Sequence, residues 1–175
     1  MTPQARREEI VKILQEADSP VTGGELANSL GVSRQVIVQD IALLRAGGLD
    51  ILATPQGYLL AQAVSLPLYR RTFAVVHHDL AGLEKELYQI VDCGGRVVDV
   101  IVEHPIYGEI TGLLMLSSRR EVAEFVKKLK ESRAQPLAAL TGGVHLHTVE
   151  ALSQEVLNRV EERLKEIGVL IEENE

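Results

Sequence analysis

The sequence predicts an α+β protein in two parts: a three-helix segment closed by a β-hairpin, then a domain in which strands and helices alternate. Three observations carry that prediction. Apolar residues recur with helical spacing up to about residue 46. Two short apolar runs then flank Thr54-Pro55-Gln56-Gly57, a turn signature. Beyond residue 72, strand-like runs such as FAVVHH (73–78) and RVVDVIVEH (96–104) are interleaved with amphipathic stretches.

Each element has a local cause. Ile10, Ile13, Leu14 and Ala17 fall at i, i+3, i+4 and i+7, which predicts a helix over 4–17 that Asp18-Ser19-Pro20 stops. Thr22 followed by Glu25 is a capping-box pattern for a helix over 22–30. Gly31 breaks the chain, Ser33 caps a third helix, and Gly47-Gly48 ends it. Residues 50–53 and 58–61 form the hairpin, completing a first domain over 1–61. Residues 62–72, AQAVSLPLYRR, read as a linker to a second domain over 73–175. That domain is predicted to hold strands at 73–78, 96–104, 109–116 and 143–149, and helices at 80–91 and 119–132. The order β-α-β-β-α-β is ferredoxin-like, with an extra helix at 153–167 and an extra strand at 169–171.

Composition narrows the function. Aromatic residues make up 3% of the chain and tryptophan is absent, so the core is aliphatic and stacking of single-stranded nucleic acid on aromatic rings is disfavoured. A single cysteine, Cys93, excludes an internal disulfide and a cysteine-rich zinc site; it reads as a small apolar residue beside Gly94-Gly95. The N-terminal residues are charged and periodic, without the apolar core of a signal peptide, and no apolar run approaches the ~20 residues of a membrane span. A cytoplasmic protein without membrane contact is expected. The net charge is −7, and residues 1–61 carry five Lys/Arg against seven Asp/Glu, so a diffuse basic surface is not available. Any DNA contact must come from local placement of charge, doubled by dimerisation.

Residues 25–37 supply such a placement. Leu26, Ala27 and Leu30 point one helix inward, Gly31 takes the turn, and Ile37, Ile41 and Leu44 bury one stripe of the next helix. Ser33, Arg34, Gln35, Val38 and Gln39 are left exposed at its start. Arg can bind guanine and Gln adenine in bidentate fashion, and recognition helices present their first turns to the major groove. Gln56 at the hairpin tip is expected to join them. Residues 4–61 resemble the winged helix-turn-helix of the biotin-repressor type, which implies double-stranded operator DNA as partner.

All five histidines lie in the second domain. His145 and His147 are two apart on a strand and share a face. His78 ends another strand, and Glu84 and Glu86 both border the apolar face of Leu80, Leu83, Leu87 and Ile90, so spacing alone does not choose between them. Three imidazoles and a carboxylate suit a transition metal such as zinc, nickel or iron. The plainer reading is polar residues on an exposed strand face. Thr141-Gly142-Gly143 reads as a turn, and the lysines of 127–130, set among Glu121, Glu124 and Glu131, as a solvated helix face.

VVHHDL, EKELYQIVD, EHPIYGEI and GGVHLHTV together resemble the three-histidine (3H) domain. With the winged helix, the chain resembles the NiaR family of niacin-responsive repressors over about residues 4–170. The resemblance implies a homodimer that represses NAD synthesis and salvage genes, with nicotinic acid as co-repressor. It also implies one metal ion per chain, with ligand roles falling on His78, Glu86, His145 and His147, and no enzymatic activity. The effector carboxylate would need a donor, for which Arg96, His104 and Tyr107 are the candidates. Two other readings compete: a regulator for which the metal is itself the signal, and a metal-dependent hydrolase fused to a targeting domain. Against the latter, four protein ligands leave less room for an activated water.

Overall fold

A computed structural model describes residues 1–61 and 68–172. The chain divides into two units between residues 65 and 66.

In the first unit, α1 (Pro3–Glu16), α2 (Gly23–Leu30) and α3 (Arg34–Ala46) precede a hairpin of β1 (Ile51–Thr54) and β2 (Gly57–Leu60). Thr22 and Glu25 form the reciprocal capping box of α2, and the Ser33 hydroxyl accepts from the Val36 amide to start α3. Gly31 closes α2 at φ 65°, ψ 36°, the left-handed conformation that lets the chain turn directly into α3. Ile10, Leu14, Leu26, Ala27, Ile37, Ile41 and Ile51 make one buried core. Each of the larger side chains contributes about 1.5–3 kcal/mol on burial. The hairpin is tied back to the helices by two hydrogen bonds of 2.8 Å between Val21 and Tyr58. Gly57 permits this approach, because a Cβ there would sit 2.5 Å from the Val21 carbonyl oxygen.

In the second unit, β3 (Tyr69–Val76), β4 (Arg96–His104), β5 (Gly108–Leu116) and β6 (Val144–Ala151) form one antiparallel sheet in the order β3-β6-β4-β5. The expected β-α-β-β-α-β order is present: α4 (Leu80–Asp92) joins β3 to β4, and α5 (Arg119–Ser132) joins β5 to β6. A short 3-10 helix at Leu137–Thr141, absent from the sequence reading, leads into β6, and α6 (Gln154–Glu166) follows it. All three α-helices share one aliphatic core with Phe73, Val75, Val97, Leu114, Leu116, Val149 and Ala151 of the sheet.

Three boundaries differ from expectation. Strand β3 begins at Tyr69, so residues 69–72 of the expected linker belong to the sheet, paired with 148–151 of β6; residues 62–67 of that linker lie outside the described residues. The strand ends at Val76, before the two histidines. The expected strand at 169–171 is reduced to an isolated bridge between Leu170 and Val75.

Candidate nucleic-acid interface and candidate metal centre

The interface candidate is the outer face of α3. Ile37 and Ile41 anchor its inner face. Asp40, also buried, is held by Arg6 of α1 at 2.5 Å and Arg7 at 3.5 Å, which fixes the rotation of α3 against α1. Ser33, Arg34, Gln35, Val38 and Gln39 are all exposed, and Ala42 and Arg45 extend the same face. Helical spacing would have found these last two as well, since Arg45 lies three turns beyond Arg34. The Arg34 side chain runs beside Gly23, where an added Cβ would lie 3.4 Å from its Nε. Gln56 of the hairpin turn departs from this pattern. It is half-buried, and neither side-chain amide atom reaches solvent or has a hydrogen-bond partner.

The metal candidate lies between the sheet and α4. Strand alternation sends His145 and His147 to the helix-covered side with Val149, opposite Val75 and Phe73 of β3. His77, one residue past β3, continues the inward parity of Phe73 and Val75 and is 8% exposed. Glu86, on the buried face of α4, has no exposure. Its carboxylate lies 2.9 Å from His147 Nε2 and 3.5 Å from both His145 Nε2 and His77 Nε2. The other nitrogen of each strand histidine is fixed on the backbone: His145 Nδ1 is 2.8 Å from the Gly143 carbonyl oxygen, and His147 Nδ1 is 2.6 Å from that of Asp99. A carbonyl oxygen can only accept, so each Nδ1 carries the proton and each Nε2 is turned toward the carboxylate. Burial by itself raises the Glu86 pKa, but His147 and His145 outweigh it and the group is lowered to about 2. Burial, with the neighbouring His145 and His147, moves His77 down against the pull of Glu86, whereas the Glu86 charge overcomes burial at His147 and raises it.

These residues fit a metal ion. Neither Glu86 oxygen accepts a hydrogen bond of good geometry, and a wholly buried carboxylate left so is strongly disfavoured unless a cation is beside it. Ligand atoms of His77, Glu86 and His145 lie within 4.8 Å of one another. Tetrahedral ligands about 2.1 Å from an ion would be roughly 3.4 Å apart, close to two of the distances here. Imidazole and carboxylate donors suit a transition metal.

The structure differs from the expected ligand set at one position. His78 is exposed and His77 occupies the inward place beside Glu86. The His78 ring nevertheless packs on Gly143, the residue whose carbonyl orients His145; a Cβ at Gly143 would be 2.9 Å from His78 Nδ1. Glu84 is half-buried outside the cluster and pairs with Lys130 at 3.7 Å.

Of the three residues expected to meet the effector, His104 and Tyr107 lie together at the β4-β5 turn, their ring centroids 5.0 Å apart, and Arg96 stands at the other end of β4. Arg96 pairs with Ser117 at 3.1 Å and approaches Glu150 at 3.8 Å, three residues beyond His147 along β6 and on the other face of the sheet. His104 Nδ1 accepts from the Ile106 and Tyr107 amides and so closes the β4-β5 turn. Tyr107 is 78% exposed at its tip.

A helix-turn-helix unit joined to a domain with a buried histidine–carboxylate cluster defines a DNA-binding regulator. Comparison with known proteins agrees. The HTH domain model matches residues 6–59 and the 3H domain model residues 70–173. The chain is 49% identical over 170 residues to a probable transcription repressor NiaR of Thermotoga maritima, covering 97% of this chain and 95% of the relative. It is 43% identical over 170 residues to the transcription repressor NadR of Bacillus subtilis, covering 96% and 94%. An uncharacterized protein of Methanothermus fervidus is 32% identical over 104 residues, which is 16% of its own length. The chain belongs to the NiaR/NadR family of transcription repressors. It is a regulator and not an enzyme. No helix among the described residues is long and apolar enough to cross a membrane.

Proposed function

We propose that the protein represses genes of NAD synthesis and niacin salvage in the cytoplasm, binding operator DNA as a homodimer with nicotinic acid as co-repressor. The second unit holds one transition-metal ion, zinc, nickel or iron, on Glu86, His145, His147 and an imidazole of the His77-His78 pair. The observation that carries this reading is the wholly buried Glu86 carboxylate faced by three imidazole nitrogens and accepting no good hydrogen bond. A bound ion would be held by these side chains and would neutralise the Glu86 carboxylate. The chain's own residues orient the imidazoles through the Gly143 and Asp99 carbonyls and exclude water with the aliphatic core. The first unit binds DNA through Ser33, Arg34, Gln35, Val38 and Gln39; Gln56, whose amide atoms are buried at the hairpin turn, is left out of this set. Dimerisation would set two copies of α3 one DNA turn apart.

The test is binding to a candidate operator with and without nicotinic acid, before and after chelation. Tightening by nicotinic acid that disappears on chelation is the expected result. Tightening by metal alone, with no effect of nicotinic acid, would favour the metal as signal. A nicotinic-acid response unchanged by chelation would overturn the role given to the cluster.

A further inference from the structure

Two cavities border the histidine cluster, and their charges differ. One, of about 1090 Å³, is lined by His104, His145, Glu103 and Glu109. Two carboxylates on its wall oppose an anionic guest. The other, of about 600 Å³, lies between the start of α4, the end of α5 and the turn before β6. His77, His78 and Gly143 are at one side of it and Lys130 and Arg133 at another. Its size is within the range of small-molecule sites. Leu80, Leu129 and Pro136 supply the apolar wall that a flat ring requires.

The two cations are not equivalent. Lys130 is held by Glu84 at 3.7 Å. Arg133 has no ion pair or hydrogen bond among the described residues. Asp79, also on the wall, accepts from the Gly82 amide at 2.7 Å as the cap of α4. Arg133 is also conformationally unusual. It ends α5 at φ 56°, ψ 19°, the left-handed region, where α2 and the 3-10 helix use Gly31 and Gly142. A side chain kept where glycine is preferred points to a use for that side chain.

We propose that this second cavity is the effector site, and that the Arg133 guanidinium binds the carboxylate of a monocyclic aromatic acid whose ring lies toward the histidines. This rests on the reading of nicotinic acid as co-repressor and assigns its recognition to one residue. Arg133 is then the specificity determinant for the acid over its amide, since only a carboxylate offers two charged oxygens to the guanidinium fork.

The left-handed conformation gives a clean test, because Arg133→Gly should fold at least as well as the parent. Titration calorimetry on the full-length, zinc-loaded protein would measure nicotinic acid and nicotinamide, alongside zinc affinity and thermal unfolding. We expect Arg133→Gly to keep its zinc and its unfolding temperature and to bind nicotinic acid roughly tenfold or more weakly. Nicotinamide affinity should stay within about twofold. Arg133→Lys should fall between. An unchanged nicotinic-acid affinity in Arg133→Gly, or an equal loss for acid and amide, overturns the assignment. A parent protein that binds no nicotinic acid overturns the co-repressor reading and this one together. A parent that binds it as well as the glycine variant does overturns only this one.

Discussion

The Nδ1 of His147 lies 2.6 Å from the backbone carbonyl oxygen of Asp99, where β4 carries one extra residue against β6. The bulge turns that carbonyl out of the ladder and toward the ring. The Asp99 side chain supports the same point by accepting from the Thr148 amide at 3.0 Å. Asp99→Ala should therefore leave a buried amide unpaired and loosen His147. Stability should fall by about 1–3 kcal/mol and metal affinity by about 10–100-fold. Urea unfolding and competition with a chelator measure the two. A variant with parental metal affinity would show that the bulge has no part in positioning His147.

His77 and His78 are adjacent in sequence but lie on opposite sides of the turn after β3, one buried and one exposed. A set of Glu86, His145 and His147 has room for one more imidazole around a four-coordinate ion. We expect only one of His77→Ala and His78→Ala to lose the metal, as read by metal content after dialysis. Loss in the first points to the arrangement seen here. Loss in the second points to a turn that closes on loading. If both or neither lose it, the four-ligand set is wrong.

Arg34 is exposed at the first turn of α3 and has no ion pair among the described residues. Arg34→Ala should weaken specific operator binding by about 1–3 kcal/mol if it reads a base. Circular dichroism and the response to metal should be unchanged. Equal affinity for operator in parent and variant would remove Arg34 from the interface.

Glu25 gives a pH signature. The Thr22 backbone amide, with added help from the Thr22 hydroxyl network, lowers its pKa. A lowered folded value means that the stability it confers is complete above the unfolded value of about 4.3 and is lost as pH falls through the folded value. The parent should therefore exceed Glu25→Gln in stability at neutral pH, and the two unfolding curves should converge in acid. A constant gap between pH 7 and acid would exclude this linkage.

Much of this was legible in the sequence, and the failures have identifiable causes. The starts of α2 and α3 were readable because Thr22 and Ser33 cap through short-range chemistry. Tyr69–Thr72 was not readable as strand, because YRRT carries no apolar alternation and its pairing partners lie some eighty residues away at 148–151. Which of His77 and His78 faces inward is hidden for a related reason: Phe73-Ala74-Val75-Val76 is apolar throughout, so the run does not show which parity points to the core. Glu84 and Glu86 are similarly ambiguous on the helical wheel; the packing of α4 buries Glu86 against the histidines and leaves Glu84 half-buried beside Lys130 of α5. The far position of Arg96 depends on strand register, which spacing along one strand does not reveal.

The alternation that brings His145 and His147 to Glu86 also guards the assembly of the sheet. A slip of β6 by one residue against β3 would exchange their positions with Leu146 and Thr148. Glu86 would then face an aliphatic side chain and a hydroxyl, its charge uncompensated in a dry interior, at a cost of several kcal/mol. Leucine and valine alone would tolerate the misaligned pairing far better. The polar cluster therefore proofreads strand register, so the residues offered to the ion also select the one pairing in which they can meet.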